Sequence, residues 1–94
     1  MTNTEIAKVF QALAHLLKLK KESIFKIRAY ERAAGYINDW PVEVEQLVRE
    51  GRLMEIPGVG EAINKKITEL VNTGRLEYYE KLKAERAGVK NGQT

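Results

Sequence analysis

The stretch "IPGVGEAINKK", residues 56 to 66, decides the fold: a stiff-then-loose turn, Pro57 followed by Gly58, opens directly onto a helical pattern. Pro-Gly is a common turn signal and could serve only to join two antiparallel helices. Gly60 is harder to explain that way, because it stands where the next helix begins and where Ser, Asp or Thr would cap better. A glycine suits that place if the backbone must come close to another molecule. The first N–H groups of a helix are unpaired, carry positive partial charge and bind phosphate oxygens where no side chain blocks the approach.

Val59, between the two glycines, is placed to turn inward and pin the flanking helices. Apolar residue, Pro, Gly, apolar residue, Gly and an amphipathic helix together read as a helix-hairpin-helix motif, in which Gly58, Val59 and Gly60 offer backbone groups to phosphate. On the helix that follows, Ile63, Ile67, Leu70 and Val71 define an apolar face. At about 100° per residue, Lys65 points away from that face, whereas Lys66 lies roughly 85° from its centre, at the border of core and solvent. Partial desolvation and neighbouring cations would lower the pKa of Lys66. Only a neutral amine attacks a carbonyl carbon, so such a lysine suits Schiff-base chemistry. The ordinary alternative is a border lysine that snorkels to solvent.

Outward from this stretch the pattern is helical on both sides. In residues 4 to 20 the residues Ile6, Val9, Phe10, Leu13, Leu16 and Leu17 form one stripe. Thr2 and Glu5 have the spacing of a capping box at its start, with Asn3 or Thr4 as alternative caps. His15 falls opposite the stripe and is read as solvated. A second helix over residues 23 to 37 places Ile27, Tyr30, Ala34 and Ile37 on one face, and Ala33, Ala34 and Gly35 would permit a close helix approach. A short third helix is expected in "DWPVEVEQLVREG" (39 to 51), with Pro41 in its first turn and Gly51 just past its end. The fourth runs from about Gly60 to Thr73, closed by Gly74, and the fifth covers residues 76 to 86. "GRLMEI" (51 to 56) and "GRLEYY" (74 to 79) repeat one device, a glycine cap followed by a leucine that folds back. The expected fold is all-α: a compact bundle of four to five helices with one helix-hairpin-helix, a domain over residues 1 to 86 and a frayed tail over 87 to 94.

Composition narrows the function. Ninety-four residues allow one modest core, burying about 60 to 65% of the unfolded surface. The absence of cysteine excludes disulfides, zinc-thiolate sites and thiol nucleophiles, and a single histidine argues against a transition-metal site built by the protein. No apolar run approaches the roughly 20 residues of a membrane span, and no signal-peptide form precedes the first helix, so a cytoplasmic, non-membrane protein is expected. The net charge of +3 is unevenly spread: seven Lys/Arg against three acids in residues 1 to 38, two against six in 39 to 64, seven against four in 65 to 94. Lys18, Lys20, Lys21, Lys26 and Arg28 crowd one short segment. They make either a solvated helix end or a phosphate-contacting patch.

"FKIRAYERAA" (25 to 34) taken with residues 55 to 85 resembles the small N-terminal domain of family X DNA polymerases, the group containing DNA polymerase beta, and its bacterial and archaeal members most. The similarity covers residues 3 to 86. It implies a helical bundle that binds the 5′-phosphate side of a DNA gap or nick, and in several members a 5′-deoxyribose-phosphate lyase acting through a lysine Schiff base. Carried onto this chain, the resemblance implies Lys66 as the nucleophile, Tyr30 beside it, Lys26 on the 5′-phosphate, and Gly58, Val59 and Gly60 on backbone phosphate. It also implies a Na+ or K+ ion at carbonyls near Ile56 and Val59, with no other cofactor. Three positions depart from the pattern: Ala62 and Tyr78 stand where polymerase beta has lysines, and Phe25 where it has a histidine. The metal-binding carboxylates of a polymerase domain have no counterpart, so the chain is expected to be a cut-out domain of a polymerase or a free-standing module.

The expectation is therefore a monomeric, sequence-independent DNA-binding module for gapped, nicked or 5′-phosphate ends, with Arg28 and Lys65 adding charge, in a bacterial or archaeal nucleoid. An abasic-site lyase centred on Lys66 is the enzymatic alternative. A protein-interaction domain is the other, and it would require exposed apolar area on the helix of Tyr78 and Tyr79.

Overall fold

Helix α1 (Asn3–Leu19) opens on a capping box. The Glu5 N–H donates to the Thr2 hydroxyl oxygen at 3.1 Å, and the Thr2 N–H donates to the Glu5 carboxylate at 2.8 Å. Thr2 is thus the cap among the three candidates. The backbone bond from Thr2 holds the Glu5 carboxyl below its ordinary pKa. At the other end, Lys21 adopts the left-handed conformation (φ 64°). The Lys21 and Glu22 N–H groups donate to the Lys18 and Leu17 carbonyls, both at 3.0 Å, which is a Schellman closure formed without glycine.

The computed structural model describes residues 1–88. Of the expected tail, residues 89–94 lie outside the described residues. The remaining helices are α2 (Ile24–Asp39), α3 (Val44–Glu50), α4 (Glu61–Thr73) and α5 (Glu77–Arg86), with a single 3-10 turn at Leu53–Glu55. The architecture is all-α, as the periodicity predicts.

Helices α1 and α2 make the most extensive contact in the molecule. Ile6, Phe10, Leu13 and Leu17 from α1 meet Ile27, Tyr30, Ala33, Ala34 and Ile37 from α2, all buried. The Phe10 and Tyr30 rings stack with centroids 6.0 Å apart. Gly35 has no part in this approach: it is exposed, and a Cβ there would meet nothing within 4 Å. The small residues that let the helices close are Ala33 and Ala34. No charged or polar side chain is buried among the described residues, so any chemistry of charged groups belongs to the surface.

The repeated glycine device holds in both places. Gly51 (φ 67°) ends α3, and Arg52 N–H reaches the Leu47 carbonyl at 2.8 Å. Gly74 (φ 76°) ends α4, its N–H reaching the Leu70 carbonyl at 2.8 Å. Leu53 and Leu76, two residues after each glycine, are buried.

The start of α3 differs from expectation. Pro41 precedes the helix, which begins at Val44, and Glu43 at its N-cap makes no side-chain bond. The cap comes from α1: the Asn3 amide oxygen accepts from the Val44 N–H at 2.8 Å, and its amide nitrogen donates to the Val42 carbonyl at 2.9 Å. A cap 41 residues away in sequence leaves no local signal, which is why Pro41 looks like the start. Replacing Asn3 by Ala orphans a partly buried N–H and should cost about 2 kcal/mol. We expect Tm in a thermal melt to fall by about 10 °C; an unchanged Tm would show that water replaces the amide fully.

Candidate nucleic-acid interface

The turn of the hairpin is built by Ile56, Pro57, Gly58 and Val59. The Val59 N–H donates to the Ile56 carbonyl at 3.1 Å, and Gly58 has φ 84°. Proline at the second position and a positive-φ glycine at the third are what a type II turn requires. Both apolar ends face inward, Ile56 being 1% and Val59 5% exposed. The side chains therefore anchor the turn and leave its backbone edge outside.

Gly60 follows with φ −90° and ψ −173°, extended backbone open to any residue, and a Cβ there would meet nothing within 4 Å. Nothing in the fold demands glycine at this position. The first intrahelical bond of α4 runs from Asn64 N–H to the Gly60 carbonyl at 2.9 Å, and no side chain caps the helix. The N–H groups of Glu61, Ala62 and Ile63 are thus left without intrahelical partners at a positive helix end. Across the turn, Arg32 of α2 lies against Gly58: its Cδ would sit 3.3 Å from a Cβ placed there.

A second group of residues assembles about 9 Å further along α4, at 1.5 Å of rise per residue. Lys66 is half-buried there, with Nζ 5.1 Å from the centroid of the Tyr78 ring and 6.0 Å from that of Tyr30. Lys26 of α2 approaches the same Tyr78 ring at 5.4 Å. Two ammonium groups approach one aromatic ring, and their pKa values move apart. Desolvation, and then the charge of Lys26, push Lys66 below the ordinary lysine value, against a smaller opposing pull from Glu69. Lys26 is raised, chiefly by the nearby Tyr78 phenol oxygen, with Glu22 adding at 3.4 Å. Burial raises the Tyr30 phenol, whose ring belongs to the core.

Of the residues singled out in the sequence, Lys26, Lys66 and Tyr30 come together. Gly58, Val59 and Gly60 form the separate turn. Lys65 is exposed on the far side of α4, 3.7 Å from Glu61, and Ala62 is exposed. Arg28 is exposed on α2, about 200° around the helix from Lys26 and so outside the lysine group. The Ile56 carbonyl has one lone pair engaged by the turn. Phe25, beside Lys26, is 81% exposed, the most exposed large apolar side chain among the described residues. Tyr78 and Tyr79 are half-buried against the core, each with a lysine over its ring. Helix α5 therefore does not expose the apolar face that a protein-interaction role would need.

Sequence reasoning missed two residues. Tyr78 registers in the sequence as the loss of a lysine, although its ring organises the two lysines that remain. Arg32 carries one signal, its position one helical turn after Arg28. A cleft of about 830 Å³ lies elsewhere, between α4 and α5, lined by Glu69, Glu77, Glu80 and Glu85 with Arg75 and Lys81. Its excess of carboxylates suits no polyanion.

The chain belongs to the helix-hairpin-helix domain family, whose model matches residues 1–76. The match runs from α1 through the hairpin and α4 and stops before α5, so Tyr78 lies outside the matched region.

The charge of Lys26 is one of two causes that depress Lys66, so Lys26→Gln should raise the Lys66 pKa toward the ordinary value. Reductive 13C-methylation followed by an NMR pH titration reads this directly. An unmoved or lowered Lys66 resonance midpoint would mean that the two ammonium groups do not sense each other.

Proposed function

We propose that the protein is a sequence-independent DNA-binding module that holds backbone phosphate at gaps, nicks or 5′ ends, of the type found at the N-terminus of family X DNA polymerases. The observation that carries this reading is the open end of α4: a buried Val59 pins the turn, and no side chain stands in front of the free N–H groups. Phosphate at such an end gains both the unpaired donors and the helix dipole. Membership of the helix-hairpin-helix family supports it, because such domains bind DNA without reading sequence.

Lys26 supplies a fixed positive charge for a terminal phosphate, while Arg28 and Lys65 add long-range attraction. Phe25 offers an uncovered ring on which an unpaired base beside the phosphate can stack, which favours gaps and ends over intact duplex. A Na+ or K+ ion at the free lone pairs of the Ile56 and Val59 carbonyls would add charge at the turn. The partner is DNA, bound by a monomer, in a repair context.

Gly60→Leu separates binding from folding, since the position tolerates a side chain in the free protein. We expect an unchanged helical CD spectrum, a Tm within a few degrees, and affinity for gapped DNA weakened about tenfold or more through loss of charge-assisted bonds. Full retention of affinity in this variant would remove the hairpin from the interface.

A second reading rests on Lys66, whose lowered pKa beside Tyr30 and Tyr78 suits an amine nucleophile. The neutral Lys66 amine would add to the C1′ aldehyde of an abasic sugar and expel water to give an imine. Loss of the C2′ proton, with Glu69 one turn away as an acceptor, would then break the C3′–O bond and release the 3′ phosphate ester. Borohydride would trap the imine on abasic DNA as a covalent adduct, lost in Lys66→Ala and kept in Lys65→Ala. No adduct with the wild-type protein would leave the binding module alone.

A further inference from the structure

Helix α2 carries two exposed arginines one turn apart, Arg28 and Arg32, and neither forms an ion pair among the described residues. Their neighbours are engaged: Glu31 is held by Lys18 at 3.6 Å and Glu22 by Lys26 at 3.4 Å. Arg32 differs from Arg28 in where its stem lies. Its Cγ and Cδ cover Gly58, at 3.5 and 3.3 Å from the place a Cβ would occupy. The positive φ favours glycine here, and a Cβ would in addition press lightly on the arginine methylenes.

An exposed arginine ordinarily keeps its rotamer freedom, and the loss of that freedom is one part of the cost of fixing an anion. Here the aliphatic stem already lies against the turn, and among the described residues no carboxylate pairs with the guanidinium. The planar fork is suited to two oxygens of one phosphate. Three residues after Gly58, α4 begins with its unpaired N–H groups.

We propose that Arg32 is the side-chain ligand of the phosphate held at the hairpin, so that the phosphate is gripped by backbone donors from α4 and by a guanidinium from α2. This rests on the phosphate-binding reading of the hairpin and adds to it a residue on the adjacent helix. It also gives two of the cationic groups of α2 separate tasks: Arg32 serves the backbone phosphate at the hairpin, while Lys26, on another flank of α2, serves the lysine group.

The test is a fluorescence-anisotropy titration of a 5′-phosphorylated gapped duplex from about 50 to 200 mM salt, because each neutralised phosphate contributes about 0.9 to the slope of log K against log salt. Arg32→Met keeps the stem over Gly58 and removes the charge. Its slope should be shallower by about one, with affinity several-fold weaker and Tm unchanged. Arg32→Lys should restore the slope but only part of the affinity, having lost the fork. Lys81→Met makes the same charge change in the acid-rich cleft and should leave the slope near that of the wild type. If the wild type binds with a steep slope and Arg32→Met matches Lys81→Met, Arg32 makes no phosphate contact. If the wild type shows no salt-dependent binding, the hairpin reading itself falls.

Discussion

Everything at the interface depends on one backbone conformation, the positive φ of Gly58 between two buried side chains. Ile56 and Val59 are drawn into the core on either side of it, and the type II reversal between them places its third residue in the left-handed region. An L side chain there would be strained, and it would also push on the Arg32 stem. With that conformation set, the direction of α4 and the exposure of its first N–H groups follow. Burial of the apolar residues is thus what turns the polar edge of the backbone outward.

Two consequences sit on either side of α2. One flank faces the hairpin through Arg32. The other brings Lys26 and Lys66 together at the Tyr78 ring. The two lysines are driven apart chemically by unequal surroundings: Lys66 is more enclosed and forms no ion pair among the described residues, whereas Lys26 is exposed, paired with Glu22 and close to the Tyr78 phenol oxygen. One amine is therefore a permanent cation and the other is the readier to lose its proton. A ring supports this arrangement better than a third lysine would, since it attracts both ammonium groups and adds no further repulsion.

Much of this is legible in the sequence because it is local. The hairpin glycines, the caps at Gly51 and Gly74, the Thr2–Glu5 box and the border position of Lys66 each follow from residues within a turn or two of one another. What escapes is whatever is supplied from a distance or against propensity. The α3 start is capped by Asn3, so Pro41 misleads. The end of α1 is a lysine in a glycine conformation, so nothing marks it. Gly35 looks like a packing residue but faces solvent, since periodicity cannot resolve which of three consecutive small residues meets the partner helix. Tyr78 and Arg32 matter through tertiary neighbours, a ring beneath two lysines and a stem over a glycine, and neither motif spacing nor composition carries that information.

The Asn3 bridge bears on how far the hairpin can be regarded as a part. Helix α3 has seven residues, too short to hold together in water by itself, and its first donor is satisfied only when α1 is in place. A peptide containing the hairpin alone would lack both the amide that starts its first helix and the apolar slab beneath it. The heritable unit is accordingly larger than the motif, which fits the span of the family match from residue 1 to residue 76. Transplanting the nine or ten residues around the turn into another scaffold would carry the sequence signature without the geometry, unless the recipient also provided a distant donor-acceptor side chain in the place of Asn3.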